Sequence, residues 1–360
     1  MKPSALTYHR PESIAAVCDV LARLGHEAKV LAGGQSLIPM LSMRLAAPAN
    51  LIDINMLPEQ DGISIDRHGV TFRALVRHSA LLADDDAHQA QPLLRRALQL
   101  VAHPTIRNRG TTVGSIVHSD PAAEMPAVLG LLGGTVRAQS QRGIREIAAT
   151  DFFLGPLECG LAEDEIAVAV TVPRRAPNEG SAIDEIARRH GDYAVAGVAA
   201  QVRIVDGVLS TATACYVSAG ELGTPMDFTE VLRGVDPADA DDSRWNAAGD
   251  LARDTIETET DIHASSSYRS QLVAALTARV LHEAARDALR NAAARTQRPD
   301  GDAEPRADSG AEPREDSDTE PREDSDTEPR PDSGAVSQSA DDSASASNAT
   351  GRSGTTGGTR

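Results

Sequence analysis

Near the N-terminus, the apolar positions alternate between the spacing of a helix and that of a buried strand. Apolar side chains recur every three or four positions over residues 11–24, which predicts a helix with Ser13 as its N-cap. Short apolar runs at residues 29–32 and 50–54 predict strands, and the apolar positions of residues 37–45 predict a helix between them. The pattern therefore predicts a small α/β unit that ends near Pro58.

Two further units follow along the chain. The second has a hairpin within residues 62–74, helices at 93–102 and from 123 onward, and strands near 136, 151–153 and 166–172. The third begins near residue 182, continues through strands up to residue 217, and closes with a long helix over 268–294. Residues 236–266 are polar and poorly periodic, so no element is predicted there. The predicted units span residues 1–58, 59–176 and 180–294.

The C-terminal stretch differs in composition from the rest of the chain. Almost no apolar residue occurs after Thr296, and a Glu-Pro-Arg triplet returns every eight residues from Glu304 to Glu328. Such a repeat cannot bury enough surface to offset its ordering entropy. Residues 295–360 are therefore predicted to form a disordered acidic tail.

Both parts of the chain are acidic. The formal net charge is −18, and the 16 acidic and 7 basic residues of 296–360 account for half of it. A nucleic-acid-binding surface needs clustered Lys and Arg, so no nucleic-acid partner is expected. No apolar run reaches the roughly 20 residues that cross a bilayer, and the N-terminus lacks an apolar signal core. These features predict a cytoplasmic protein without a membrane span.

The three cysteines, Cys18, Cys159 and Cys215, lie far apart in the sequence. Iron–sulfur clusters and structural zinc sites need several cysteine ligands that short loops bring together. We therefore expect the chain to bind neither by itself. No metal ligand and no catalytic acid, base or nucleophile is assigned.

Two stretches of small residues point to a phosphate site. Gly33 and Gly34 lie at a strand-to-helix turn, where glycine permits φ > 0 and close approach to a bound group, and Ser36 is placed to cap the helix. Residues 111–115 form a second donor-rich stretch in a separate unit, and two such loops facing each other can hold a diphosphate. An ordinary tight turn remains an alternative for the first stretch. The spacings of a Rossmann fingerprint and of a Walker A loop are both missing.

Four segments, in this order, resemble one protein family. They are AGGQSLIPMLSMRLAAPANLIDIN (residues 32–55), RNRGTTVGSIVHSDPAAEMPAVL (107–129), DFFLGPLECGLAEDEI (151–166) and RRHGDYAVAGVAA (188–200). They resemble the FAD-binding medium subunit of the molybdenum hydroxylases, the family of carbon monoxide dehydrogenase and the bacterial relatives of xanthine dehydrogenase. The resemblance extends to about residue 290, and the acidic tail has no counterpart in it.

The resemblance implies an α+β fold with FAD as its cofactor. A two-piece FAD-binding domain of the vanillyl-alcohol-oxidase (PCMH) type would be followed by a C-terminal α/β domain of the CO dehydrogenase flavoprotein type. The first small-residue loop would wrap the diphosphate, the second would follow the diphosphate and ribityl chain, Glu124 would contact the polyol, and Tyr193 would lie near the isoalloxazine. The implied cofactor-binding residues are Lys29, Ala32, Gly33, Gly34, Gln35, Ser36, Leu37, Thr111, Thr112, Gly114, Ser115, Asp120, Glu124, Asp192 and Tyr193.

Two positions depart from the family pattern. Val113 stands where the family usually has the first glycine of a Gly-Gly pair, so either Val113 takes an ordinary β conformation or this loop binds the cofactor less closely. A lysine often found before the third-domain motif is missing, because Asp184 and Glu185 occupy that region.

The function implied by the resemblance is an electron relay within a larger complex. A large molybdenum–pterin subunit would hydroxylate the substrate, and a small subunit with [2Fe–2S] clusters would pass electrons to FAD, in a dimer of heterotrimers. FAD would pass electron pairs to a quinone, a nicotinamide or another acceptor. Two alternatives stay open: a free-standing flavoprotein oxidase or reductase, and a flavin-free assembly protein, which Val113 alone favours.

Overall fold

The computed structural model describes residues 2–296. The described chain folds around three β-sheets, with one additional two-stranded ribbon. The stretch predicted to be a disordered acidic tail lies, from residue 297 onward, outside the described residues.

The N-terminal unit alternates strands and helices, as the apolar pattern predicts. Its elements are β1 (Thr7–His9), α1 (Ile14–Leu24), a 3₁₀ turn (Gly25–Glu27), β2 (Ala28–Leu31), α2 (Leu37–Met43) and β3 (Asn50–Asp53). β3 lies between β1 and β2 and is parallel to both. The side chain of Ser13 accepts a hydrogen bond from the N–H of Ala16 at 3.2 Å, so the predicted N-cap of α1 is confirmed.

The second unit is an antiparallel sheet with a helical insertion. The first hairpin and the helices after it are β4 (Ile63–Ile65), β5 (Gly69–Arg73), α3 (His78–Ala83), α4 (Asp85–Ala90), α5 (Pro92–Leu100), α6 (Pro104–Arg107), α7 (Thr112–His118) and α8 (Glu124–Leu132). The remaining elements are β6 (Thr135–Ser140), β7 (Gly143–Ala148), α9 (Ala149–Phe152), β8 (Phe153–Gly155), β9 (Glu158–Cys159) and β10 (Ile166–Pro173). The sheet order is β4-β5-β10-β6-β7, and β8 pairs with β9 alone.

The third unit is a four-stranded antiparallel sheet covered by helices. Its elements are β11 (Glu179–Ala187), β12 (Ala194–Val205), β13 (Val208–Val217), β14 (Met226–Asp227), α10 (Thr229–Leu232), α11 (Arg244–Thr255) and α12 (Ser266–Thr296). The strands follow one another in sequence order across the sheet. α11 and α12 pack together, and α12 lies across β11 and β12.

The hydrophobic cores join the units. β12 is buried on both faces: Ala196 and Val198 belong to the core under α12, while Ala199 belongs to the core of the second unit. Helix α8 lies between the second and third sheets, and all nine of its residues are buried. This double-sided burial explains why β12 reads as an almost continuous apolar run rather than an alternating one.

An ion cluster ties the third unit to the second. Asp287 of α12 is 5% exposed and accepts hydrogen bonds from Arg96 of α5 at 2.7 and 3.0 Å. Arg175, which follows β10, donates to the same carboxylate at 3.3 Å, and the N–H of Ser181 donates at 3.2 Å. Burial works to raise the pKa of Asp287, but these cationic and N–H donors outweigh it and hold the pKa below its ordinary value.

Two local expectations are corrected by the structure. Residues 151–153 are predicted as a strand, but Asp151 and Phe152 end the helical turn α9, and only Phe153 enters a strand. The fully buried Phe152 belongs to the core of the second unit, so tertiary packing overrides its strand propensity. The poorly periodic segment 236–266 contains α11, whose buried face includes Trp245.

Candidate flavin site

The first loop, residues 32–37, connects β2 to α2. Gly34 has φ 73°, as expected for glycine at this turn, whereas Gly33 does not have positive φ. The predicted N-cap role of Ser36 is wrong, because its side chain makes no cap hydrogen bond and its backbone is already helical, with φ −97° and ψ −48°. A capping side chain needs an extended backbone to turn back onto the first N–H groups.

The N–H groups at the start of α2 are available to a ligand. Within residues 2–296, the main-chain N–H groups of Gly34, Gln35, Ser36 and Leu37 donate to no protein acceptor, and the first helical bond runs from Ile38 N–H to Gly34 O at 3.0 Å. Consecutive free N–H groups at a glycine turn make an anion site. The side chain of Gln35 folds back to donate to Gly33 O at 3.0 Å and so stabilises the turn.

Gly33 lies directly against the second loop, residues 109–115. A Cβ at this position would come within 2.6 Å of Arg109 O, 2.7 Å of the Gly110 Cα and 2.8 Å of the Thr111 N. Only glycine permits this approach of two backbones. The prediction that the two small-residue stretches face each other is therefore supported by direct contact, and the glycine at position 33 serves that contact.

Most of the second loop is helical, contrary to the expectation from the sequence. Thr111 is the N-cap of α7, and its side chain accepts a hydrogen bond from Gly114 N–H at 3.2 Å. The residues from Thr112 to Ser115 form the first turn of that helix, so the expectation that residues 111–115 form a loop is corrected. A Cβ on Gly114 would lie 2.4 Å from the Thr111 hydroxyl, which explains why glycine follows Val113 here.

The expectation of a β conformation at Val113 is wrong, and how closely this loop binds the cofactor stays a prediction. Val113 has helical rather than β conformation, and its side chain is 2% exposed in the core of the second unit. Its N–H belongs to the first turn of α7 and has no acceptor among the described residues. The substitution therefore fills the core and leaves a helix N-terminal donor free.

A buried histidine, His78, forms hydrogen bonds with the second loop. His78 is 4% exposed, its Nδ1 lies 3.1 Å from the Thr112 hydroxyl, and its main-chain N–H donates to Gly110 O at 3.0 Å. Burial, with a smaller contribution from the Arg107 charge, lowers the pKa of His78 to about 4. The imidazole is thus neutral at pH 7 and acts as a packed hydrogen-bonding group.

Asn55 and Arg77 connect the two loops, and the sequence analysis did not identify either residue. Asn55, just after β3, donates through Nδ2 to Ala32 O at 2.7 Å, and its Oδ1 accepts from Arg77 Nη2 at 2.8 Å. Arg77 also donates through Nη1 to Arg109 O. Burial, and then the nearby Arg109 charge, lower the pKa of Arg77, which remains cationic.

Acidic groups line the region between α8 and the third sheet. Asp120 forms the turn before α8 by accepting from Ala122 N–H at 2.9 Å. Burial raises the pKa of Glu124 to about 7, with a further contribution from Asp120. Burial also raises the pKa of Glu185 to about 8, followed by the charges of Glu124 and Asp184. Oε2 of Glu185 is buried and has no hydrogen-bond partner among the described residues.

The third-unit loop that carries Asp192 and Tyr193 reaches this region. Tyr193 is 68% exposed, and its pKa is raised by partial desolvation and then by the charges of Asp120 and Glu124. His190 of the same loop lies edge-on to His103, with ring centroids 6.2 Å apart. Residues 190–193 thus sit beside the second unit, and Asp192 is exposed to solvent.

Lys29 precedes the first loop, on the strand that leads into it. It is exposed on β2, and its charge partly offsets the rise that burial causes in the pKa of the Cys159 thiol. Within the described part of the chain, no hydrogen bond joins its side chain to the first loop.

Among the described residues, no cluster of three His, Cys, Asp or Glu side chains is placed to hold a metal ion. None of the helices in residues 2–296 is both long and apolar enough to cross a bilayer.

The residues of the two loops fit a dinucleotide diphosphate. Free N–H groups of the first loop and of the α7 N-terminus supply donors, and the guanidinium of Arg77 adds positive charge between them. Hydroxyl groups of Ser36 and Ser115 are not engaged with other described residues. The donor set is thus suited to an anionic, hydroxyl-rich ligand.

Comparison with known proteins also indicates a flavin-binding protein. Residues 4–175 match the family "FAD binding domain in molybdopterin dehydrogenase", and residues 181–284 match "CO dehydrogenase flavoprotein C-terminal domain". The nicotine 6-hydroxylase medium subunit of Paenarthrobacter nicotinovorans is 38% identical over 285 residues, which cover 79% of this chain and 99% of that protein.

Solved structures agree in fold. Quinoline 2-oxidoreductase from Pseudomonas putida 86 matches with a TM-score of 0.75 and 35% identity, over 80% of this chain and 100% of the other. Carbon monoxide dehydrogenase from Hydrogenophaga pseudoflava matches with a TM-score of 0.73 and 32% identity, over 79% and 98% of the two chains. On the sequence segments, the fold and these matches, the chain belongs to the FAD-binding medium subunits of the molybdenum hydroxylases, a family of oxidoreductases.

Proposed function

We propose that this chain holds FAD between the first and second loops and relays electrons from an iron–sulfur partner subunit to an external acceptor. Ala32, Gly33, Gly34, Gln35, Ser36 and Leu37 would hold the diphosphate from one side, and Thr111, Thr112, Gly114 and Ser115 from the other. Asp120 and Glu124 would contact the polyol. Asp192 and Tyr193 would approach the ring system from the third unit. FAD, when bound, can accept electrons singly and give them up as a pair.

The observation that carries this proposal is the contact between two backbones from different sheets. Gly33 packs on residues 109–111, which supports the proposal that the free N–H groups of Gly34 to Leu37 and of Val113 serve one site. Donors fixed in place before the ligand binds lose little entropy on binding. The chain itself therefore supplies the binding and orientation of the cofactor.

The proposed complex contains a small [2Fe–2S] subunit and a large molybdenum–pterin subunit, arranged as a dimer of heterotrimers in the cytoplasm. Its support is the similarity to medium subunits and medium chains of such enzymes, several of which are named as parts of multi-subunit dehydrogenases. The described residues offer no acid–base pair beside the two loops with an evident role in substrate oxidation. In this proposal, electrons reach the flavin from another chain.

The two alternatives lose support in different ways. The only support for a flavin-free assembly protein is Val113. Its side chain is buried in the core, so it does not cover the free N–H groups in the first turn of α7. A free-standing oxidase needs its own base against the flavin, and Glu124 and Glu185 are the candidates closest to that need. The assay of the isolated chain described in the Discussion separates this alternative from the relay.

The test is co-purification and flavin content. The chain expressed with its partner genes should be isolated in a complex that contains FAD at about one equivalent per medium subunit together with iron–sulfur absorbance. Recovery of the chain alone, with full flavin content and no partner, would contradict the relay. Failure of the chain to take up FAD on reconstitution would contradict the binding site itself.

A further inference from the structure

Two side chains outside the small-residue stretches cross the junction between the first and second loops. Asn55 follows β3, in the parallel sheet that supports the first loop, and Arg77 precedes α3, in the unit that supports the second. Their side chains meet, with Arg77 Nη2 donating to Asn55 Oδ1 at 2.8 Å. We call this pair the loop strap.

Each end of the loop strap is bonded to the main chain of one loop. Asn55 Nδ2 donates to Ala32 O at 2.7 Å, and Arg77 Nη1 donates to Arg109 O. The acceptors are the carbonyls that flank the Gly33 contact, so the strap spans the point where the two backbones touch. A change in the separation of the loops would stretch or break one of these bonds.

Both strap residues are themselves fixed in place. Asn55 is anchored by Asp53, whose Oδ1 accepts from Asn55 N–H at 2.9 Å and from Asn55 Nδ2 at 2.7 Å, and whose Oδ2 accepts from Tyr8. The backbone on either side of Arg77 is paired with the second loop through Thr112 N–H to Val76 O and His78 N–H to Gly110 O, both at 3.0 Å. The strap is thus rigid at both ends, which a spacer between two loops requires.

We propose that Asn55 and Arg77 are positioning residues for FAD, and that the loop strap sets the separation of the two loops before the cofactor binds. The inference rests on the proposed binding of FAD between these loops. Without the strap, the free N–H groups of the first loop would have to be brought into register with α7 at the expense of binding energy. The strap then acts on affinity through the main-chain donors.

The experiment is a titration of the full-length apoprotein with FAD, followed by flavin fluorescence. Arg77→Ala and Asn55→Ala are each expected to raise the FAD dissociation constant about 10-fold, since each removes charge-assisted or partly buried hydrogen bonds. The double variant is also expected to show about a 10-fold rise, because either single change already breaks the strap. Hydrogen exchange of the apoproteins should show faster exchange of the Ile38 N–H, which is bonded to Gly34 O in the first loop.

Milder variants separate positioning from general destabilisation. Asn55→Asp keeps an acceptor for Arg77 and adds a negative charge, but it loses the donor to Ala32 O, so it should bind FAD as weakly as Asn55→Ala even though it can form an ion pair with Arg77. Arg77→Lys keeps the charge but not the fork that reaches two acceptors. Arg77→Lys should therefore raise the FAD dissociation constant nearly as much as Arg77→Ala does.

Matched controls are present in the chain. Arg73, at the end of β5, donates to the main-chain Glu59 O at 2.7 Å, and Asn178 donates to Ile204 O at 2.9 Å, both away from the loops. Arg73→Ala and Asn178→Ala should bind FAD like the parent protein. An effect of these controls equal to that of the strap variants would overturn the inference.

The outcomes distinguish the strap from the proposed function. If the parent binds FAD and the strap variants bind within twofold of it, the strap is wrong and the flavin site stands. A 100-fold loss in the double variant would mean that the residues act independently, which also overturns the strap. If the parent takes up no FAD, the proposed function fails before the strap is tested by affinity, and unchanged hydrogen exchange of the Ile38 N–H in the strap variants would refute the strap on its own.

Discussion

Asp287→Asn probes the ion cluster that joins α12 to the FAD-binding part. The substitution keeps the shape of the side chain and removes its charge, leaving Arg96 and Arg175 without their shared carboxylate. Removal of one partner from a buried ion pair costs about 3–5 kcal/mol, because the remaining charge stays partly desolvated. The side chains of Arg96 and Arg175 are 31% and 19% exposed, and asparagine keeps one acceptor, so water and that acceptor recover part of the loss. We expect the free energy of unfolding to fall by about 2–3 kcal/mol.

The assay is urea unfolding of the parent and variant at pH 7, with Asp250→Asn as control. Asp250 also pairs with an arginine, Arg253 at 2.7 Å, but its side chain is 60% exposed, so the control should cost less than about 1 kcal/mol. The two substitutions make the same chemical change on neighbouring helices. Their difference therefore measures what burial adds to the ion pair.

The effect should depend on pH in one direction. The pKa of Asp287 in the folded chain lies below the ordinary 3.8, so its ionised form stabilises the fold above that value and loses this contribution as pH falls through the folded pKa. The gap between parent and Asp287→Asn should accordingly be full at pH 7 and shrink below about pH 4. A cost at pH 7 no larger than that of Asp250→Asn would refute the reasoning, as would a gap that widens toward acid.

In the first loop, Gly33→Ala should weaken FAD binding and leave the fold largely intact, because its Cβ would push the loop away from Arg109 O, which would lie 2.6 Å away. Gly34→Val should do the same through strain of about 1–2 kcal/mol at φ 73°, and equal FAD affinity in either variant would place the diphosphate elsewhere. At pH 8, Glu185→Gln should have a higher free energy of unfolding than the parent, and at pH 5 the two should differ little. The pKa of Glu185 in the folded parent is about 8, above the ordinary 4.5, so the parent's free energy of unfolding falls as pH rises from 4.5 to 8. Urea unfolding at both pH values checks this, and an equal difference at the two would contradict it. The FAD-loaded chain without partners should not be bleached by purines, N-heterocycles, aldehydes or carbon monoxide under anaerobic conditions, and rapid bleaching by any of them would favour the free-standing oxidase.

Long, strongly patterned elements could be predicted from the sequence. The apolar spacing of α12 and the continuous apolar run of β12 identify their type because burial on one stripe or on both faces leaves a direct trace in residue order. The pairing of the two small-residue stretches could also be anticipated, since both are rich in donors and lie in separate units. What the pattern could not give is which glycine faces the ligand and which faces the other loop.

The loop strap could not be predicted from the sequence. Asn55 and Arg77 bond to carbonyl oxygens of Ala32 and Arg109, and every residue has such an oxygen, so no residue type marks the partner. The pairs are separated by more than twenty residues in sequence. Only the three-dimensional approach of the first and second loops reveals them. A polar residue directly after a strand that ends beside a glycine turn is the weak signal that was present.

Val113 shows how a departure from a family pattern should be weighed. A Gly-Gly pair allows either residue to approach a ligand, but in this chain the close approach is needed at Gly114, where a Cβ would meet the Thr111 hydroxyl at 2.4 Å. Residue 113 needs only a helical backbone, which valine adopts at small cost. Its side chain then gains burial in the core of the second unit, while its N–H keeps the direction set by the helix. Val113 therefore gains packing and leaves its N–H free, so the substitution does not argue against a bound flavin.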